Sequence, residues 1–377
     1  MNTGLQVVTL HKVLPTILTE RNGNGAFGMR GAFLAAVSLA APATAGTAHA
    51  TTLNLLIWEA YIDEQILTDW AAETGIEVRQ TFYDSGDVRD EILADPNSNV
   101  DVVVTNENGA RLYGKRGIIA TLDAGNVPSL KDYTQAWASR CGGYGVPYLW
   151  GTMGILYRSD KIATPPTSWA DMMKPAESLR GHIAMYDDHA EAFVAPLTLL
   201  GKSVNANDNE TLKAAYELMK EQAPYVLTYD YVVTSVQSPD KGPNIHMALG
   251  YSGDQYTLND KVSSPGLWRY VVPQEGTLSW LDCVSVSERS NNKALALKLV
   301  DYISNAKNGA RNAIKLNMPT ASTAALALLP EDIRSNPEIY AAPEILAKSQ
   351  FQEELTVQSV QARRRILSSL AQISDAR

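Results

Sequence analysis

From Thr51 onward, short apolar runs alternate with longer stretches whose apolar residues recur at helical spacing. Residues 53–58, LNLLIW, read as a buried strand. Residues 63–74 follow with Ile66, Leu67 and Trp70 on one helical face, and Gly75 is a natural stop. Residues 77–82 make the next strand, and residues 101–105, DVVVT, a third. Strands alternating with helices predict an α/β sheet with crossover connections. In such sheets ligands bind past the carboxyl ends of the strands. Trp58 and Tyr61 fall just past the first strand, and Asn106 and Glu107 just past the third.

A second α/β unit begins after Gly151. Ser168 caps a helix there, and residues 182–185 form a strand that delivers Asp188 and Glu191 at its end. Residues 191–200 and 208–222 are predicted helices, and 247–251 is a strand ending at Gly253-Asp254. A strand around 280–286 leads back to the first unit, and helices follow at 292–305, 309–314 and 354–373. A chain that passes between two lobes more than once makes a hinge and a cleft.

The start of the chain places this fold outside the cytoplasm. Met29-Arg30 gives a short basic start, residues 31–41 are apolar, and Ala48-His49-Ala50 offers small residues where a signal peptidase reads. The apolar run is short for a spanning helix and has no stop-transfer flank. Residues 1–50 are therefore expected to be a leader and signal peptide, with Met1 and Met29 both open as the start.

Net charge is −9, and removing residues 1–50, with Lys12, Arg21 and Arg30 against Glu20, leaves a more acidic remainder. An acidic chain without a Lys/Arg-rich run argues against nucleic acid and suits a cationic ligand. The two cysteines, Cys141 and Cys283, are free to pair in an oxidising compartment, and the sequence leaves that pairing open. No C-x-x-C or histidine cluster points to a metal, and no cofactor motif occurs.

Candidate chemistry sits in Tyr186-Asp187-Asp188-His189-Ala190-Glu191 and in Trp280-Leu281-Asp282. An ionised carboxylate only accepts hydrogen bonds, and an aromatic face attracts cations. Together they suit an organic cation. The competing readings are core aromatics and ordinary first-turn acids on a helix. An enzyme using Asp188 and Glu191 as an acid–base pair would lack a nucleophile elbow, a metal cluster and a phosphate loop.

These residues carry a family resemblance. Trp58-x-x-Tyr61, residues 73–78 (ETGIEV), residues 101–104 (DVVV), residues 146–151 (VPYLWG), residues 167–171 (TSWAD), Asp188-x-x-Glu191, Trp280-x-Asp282 and Pro319 recur in order over residues 53–376. The chain resembles the periplasmic spermidine/putrescine-binding proteins, the solute-binding subunits of bacterial ABC importers. The resemblance implies an α/β, two-lobed type II periplasmic-binding fold with the ligand cleft between lobes. It places residues 51–150 with 282–326 in lobe 1, and 151–281 with 327–377 in lobe 2.

The resemblance also implies a monomeric, non-enzymatic receptor that hands a polyamine to a membrane permease. Trp58 and Tyr61 match aromatics that pack on the ligand's methylenes. Asp188 and Glu191 match second-lobe acids, and Tyr251 stands where tryptophan is usual. Asp254 matches an acid of the putrescine-selective branch, Trp280 and Asp282 an aromatic–acid pair, and Gln352 a polar contact. Asn108 and Met318 depart from usual tyrosines, Ala60 lacks an acid found in some members, and Glu107 falls where a loop is typically hydroxylic. Alternatives from the same chemistry are a receptor for another organic cation or amine, and a sensory amine-binding protein.

Overall fold

The computed structural model describes residues 51–83 and 85–375; the expected signal segment lies outside the described residues. Ten strands are found among them, in chain order β1 (Thr52–Trp58), β2 (Glu77–Tyr83), β3 (Val102–Asn106), β4 (Val146–Arg158), β5 (Ile183–Ala184), β6 (Val226–Thr228), β7 (Met247–Tyr251), β8 (Trp268–Val271), β9 (Leu278–Val286) and β10 (Gln350–Phe351). The sheet runs β2-β1-β3-β9-β4-β7-β5-β6, with β10 added on β9 and β8 on β4.

The first half forms as its pattern predicts. In β1, Leu53, Leu55, Leu56 and Ile57 are all fully buried, as befits a parallel strand covered on both faces. The helix Glu64–Thr74 is capped by Asp63, which accepts from the Gln65 amide, and ends at Gly75 in the left-handed region, φ 70°. β1 pairs in parallel with β2 and β3, and β3 pairs antiparallel with β9, setting Asn106 opposite Asp282. The core there joins Ile66, Leu67 and Trp70 to Val284, Val286 and the helix Lys293–Ser304. The second half packs Trp169, Phe193, Met219 and Met247 with Leu367 and Leu370 of the C-terminal helix Val357–Asp375.

The long strands β4 and β9 belong to both halves. The early part of β4 pairs with β9, and its later part pairs with β7 and β8. Trp150 lies opposite Leu281, and Gly151 opposite Trp280. A side chain on Gly151 would strike the Trp280 ring, whose nearest atom would lie 2.4 Å from an added Cβ. The segment after Pro319 ties in here, with the Trp150 amide donating to Pro319 O at 3.1 Å and the indole Nε1 to Thr320 O at 3.1 Å. Beyond it, Leu329, Ile333 and Tyr340 pack on Ala310 and Ala313 of the helix Ala306–Leu316.

Several elements differ from the sequence pattern. Residues 191–200 open with a 3-10 turn, Glu191–Phe193, before the helix Val194–Leu199. β4 replaces a stretch read only as a motif, and the short β6, β8 and β10 carry too few residues to show a period. Cys141 and Cys283 are joined in a disulfide with Cα atoms 6.0 Å apart. It ties the loop bearing Arg140 to β9, next to Asp282.

Candidate functional site

Strand ends from both halves meet around a cavity of about 350 Å³. Of the nine residues singled out from sequence, eight line it: Trp58, Tyr61, Glu191, Tyr251, Asp254, Trp280, Asp282 and Gln352. Several owe their place to a strand terminus or the residues just beyond. Trp58 ends β1, Tyr251 ends β7, Asp254 opens the helix Asp254–Lys261, and Gln352 follows β10. Trp280 and Asp282 alternate with Leu281 and Cys283 along β9; Leu281 and Cys283 are buried in the core on the far face.

Asp188 is the exception. It does not line the cavity. Its Oδ1 accepts from the amides of Ala190 at 2.7 Å and Glu191 at 3.0 Å, while Oδ2 lies 3.7 Å from His189 Nδ1. An acid ahead of a helical turn satisfies orphan amide donors, and here that role takes the carboxylate. Asp187 likewise belongs to the outer surface, beside Tyr229 and Lys241.

One end of the cavity is built on Asp282. Tyr61 Oη donates to Asp282 Oδ2 at 2.8 Å, and Tyr148 Oη donates to Tyr61 O at 2.8 Å. Burial pushes the Asp282 carboxyl up to about 6, against the lowering influence of Tyr61 and of Arg89. Trp58 packs on Tyr83 with ring centroids 4.4 Å apart, and the Arg89 guanidinium lies 5.7 Å from the Tyr83 centroid.

The other end gathers Glu191 and Asp254 among tyrosines. Tyr231 Oη donates to Asp254 Oδ1 at 2.6 Å, and the Tyr251 amide donates to Asp254 Oδ2 at 2.8 Å. Tyr251 also lies beside Glu191 and lowers its proton affinity. Burial, with the charges of Asp188 and Asp254, pushes Glu191 up to about 8; burial pushes Asp254 up to about 6. Trp280 sits between the ends, edge-on to Tyr251 at 6.4 Å, and its buried Nε1 has no hydrogen-bond partner.

Sequence reasoning passed over Arg89 and Tyr231, and gave Tyr186 only as part of the segment 186–191; the cavity includes all three. Tyr231 follows the short strand β6 in the run Tyr229-Asp230-Tyr231, an aromatic–acid alternation that carries the same signal as Trp280-x-Asp282. Arg89 offers no such signal, being one charged residue within the helix Gly86–Ala94. Desolvated carboxyls at both ends, joined by aromatic faces, fit a chain with cationic termini and an apolar middle. Among the described residues no group of histidine, cysteine and carboxylate side chains could hold a metal.

The fold and cleft are those of a two-lobed solute-binding protein. The chain belongs to the bacterial extracellular solute-binding protein family, whose profile matches residues 65–342. It is 31% identical over 324 residues to the norspermidine sensor of Vibrio cholerae, covering 86% of this chain and 89% of that one. It is 30% identical over 339 residues to the putrescine-binding periplasmic protein SpuD of Pseudomonas aeruginosa, covering 84% and 92%. Its fold matches the spermidine/putrescine ABC transporter substrate-binding protein PotD of Streptococcus pneumoniae with a TM-score of 0.77 at 20% identity, over 86% of this chain and 100% of that one. The family binds solutes and is not enzymatic, which sets aside the acid–base reading of Asp188 and Glu191.

Proposed function

We propose that the protein captures a linear polyamine of the putrescine or spermidine class in the periplasm and delivers it to an ABC permease. The observation that carries this reading is the pair of buried acidic ends, Asp282 with Tyr61 and Glu191 with Asp254, bridged by Trp58, Trp280 and Tyr251. Each ammonium has several donors and needs acceptors, preferably charged ones. The rings receive the methylenes between them. Gln352 adds a polar contact from the segment after β10. The names of the two relatives, one for putrescine and one for norspermidine, support the same ligand class.

The proposal extends to the whole molecule. Residues 29–50 act as the export signal, and the mature chain works as a monomer. Lobe 1 takes residues 51–150 with 282–326, lobe 2 takes 151–281, and the C-terminal segment returns to lobe 2. Lobe closure about the paired residues Trp150-Leu281 and Gly151-Trp280 brings the two acidic ends onto one ligand, so ligand shifts the population toward the closed state. A second reading, a sensory receptor that docks on a membrane partner, is favoured by the 31% identical norspermidine sensor.

Titration calorimetry with putrescine, cadaverine and spermidine tests the ligand class. Saturable heat is expected, with a change in tryptophan emission and a smaller scattering radius on saturation. Absence of heat with every one of them at millimolar concentration would remove the polyamine reading. Deleting the neighbouring permease separates the two receptors, since uptake is lost only if the protein feeds a transporter.

A further inference from the structure

One buried acid in the cleft has no place in the two-ended scheme. Glu107 is the first residue of the helix Glu107–Lys115, directly after β3, and it lines the cavity. It is 4% exposed, and its Oε2 has no hydrogen-bond partner. Its nearest cations stand off: Arg140 Nη1 is 3.9 Å from Oε1, and Arg111 Nη2 is 4.0 Å away, both beyond hydrogen-bond reach. Both guanidiniums are engaged elsewhere. Arg111 donates to Arg140 O at 2.6 Å and to Asn108 Oδ1, and Arg140 lies 3.3 Å over the Phe351 ring. A buried carboxyl oxygen without a donor is costly, and a cationic donor entering the cavity removes that cost.

Resting on the polyamine reading, we propose that Glu107 is a third acidic anchor of the cleft and makes it select triamines over diamines. Asn106 faces Asp282 across the β3–β9 ladder, and Glu107 is the next residue. Both carboxyls line the same cavity, and the charge of Asp282 acts on Glu107, so the two acids stand at one end of the cleft. Glu191 and Asp254 hold one terminal ammonium, Asp282 the inner nitrogen, and Glu107 the far ammonium. Asn108 and Gln352 close the wall beside it, where Asn108 Nδ2 donates to Gln352 O at 3.3 Å. A diamine satisfies two anchors and leaves Glu107 without a donor; a triamine satisfies all three.

Calorimetry of the full mature chain with norspermidine, spermidine and putrescine, on wild type, Glu107→Gln and Glu107→Asp, tests this. Glu107→Gln is expected to weaken both triamines about tenfold to a hundredfold, the scale of one hydrogen bond to a charged group. Putrescine affinity should stay within about twofold, since its two anchors are untouched. Glu107→Asp should recover part of the triamine preference. Equal loss for triamine and diamine, or no change for either, overturns the proposal, as does a Glu107→Asp variant that matches Glu107→Gln. If wild-type protein gives no heat with any amine, the polyamine reading itself has failed, and this inference with it.

Discussion

The two ends of the cleft hold acids of the same kind in opposite company. Asp282 shares its end with arginine: Arg89 lowers its proton affinity, and Arg140 and Arg111 do the same for Glu107. At the far end, Glu191 and Asp254 have tyrosine and backbone partners, and no lysine or arginine is among the residues lining that end of the cavity. Proton affinity does not divide simply between the ends: Asp282 and Asp254 both rise to about 6 and Glu107 to about 7 through burial, while Glu191, with the charges of Asp188 and Asp254 added to its burial, rises to about 8. One end keeps arginine beside its acids, while the other sets its acids among tyrosines.

The largest effect is expected at the arginine-rich end. Asp282→Asn removes the carboxylate whose charge offsets Arg89 in the cavity and would face an incoming ammonium. A loss of about 2–5 kcal/mol in polyamine binding is expected, the scale for truncating one partner of a buried charge pair. Glu191→Gln leaves Asp254 beside it, so its loss should be about 1.5–3 kcal/mol, the value of one hydrogen bond to a charged group. Calorimetry on both variants decides the matter. Equal losses at the two ends would break the comparison, because they would mean that Arg89 does not shape the first end.

Proton coupling sharpens it further. An ammonium requires ionised carboxylates, so affinity should rise as pH increases from about 6, where Asp282 and Asp254 titrate, through about 8, where Glu191 does. The slope is bounded at about tenfold per pH unit for each proton released. In Glu191→Gln the upper part of that rise should flatten while the lower part remains. Ligand-free stability moves the other way. These carboxyls take up protons more readily folded than unfolded, so their contribution is present below the ordinary carboxyl range. It is lost as pH rises through about 6 for the aspartates and about 8 for Glu191. Melting temperature measured against pH, with and without spermidine, should therefore show opposite trends over that window. Parallel trends would show that the carboxyls are not emptied of protons by the ligand.

How much of this was legible follows from what each residue signals locally. Trp58, Tyr251 and Asp254 were legible because strand ends carry sites in α/β sheets, and apolar runs marked the strands. Asp282 and Trp280 stood out as an acid beside an aromatic ring and as the aromatic–acid pair that the family resemblance implies. The long β4, by contrast, is continuously apolar and broken by Pro147, Gly151 and Gly154, so no period marked it. Arg89 looks like any surface arginine in a helix, and its burial to 7% is a tertiary fact. The disulfide joins positions 142 residues apart, a separation over which sequence says nothing of proximity. Asp188 shows the reverse problem. An acid that binds a ligand and an acid that caps a turn are the same letter at the same place.

Asp188 also gives the smallest and most selective perturbation of the far end. Its carboxylate is committed to the Ala190 and Glu191 amides, outside the cavity, yet its charge helps raise Glu191. Two substitutions separate these roles. Asparagine caps about as well as aspartate, so Asp188→Asn should retain stability while removing the charge. Alanine cannot cap, and Asp188→Ala should cost about 1 kcal/mol of unfolding free energy. Polyamine affinity should change by less than about threefold in Asp188→Asn, because a charge outside the cavity acts on the ligand only at a screened distance. The titration attributed to Glu191 should shift to lower pH in that variant, since a neighbouring negative charge is gone. Urea unfolding and calorimetry at two pH values read all of these quantities. A loss of affinity in Asp188→Asn as large as in Asp282→Asn would mean that Asp188 leaves its cap to meet the ligand, and that the far end is built from three acids instead of two.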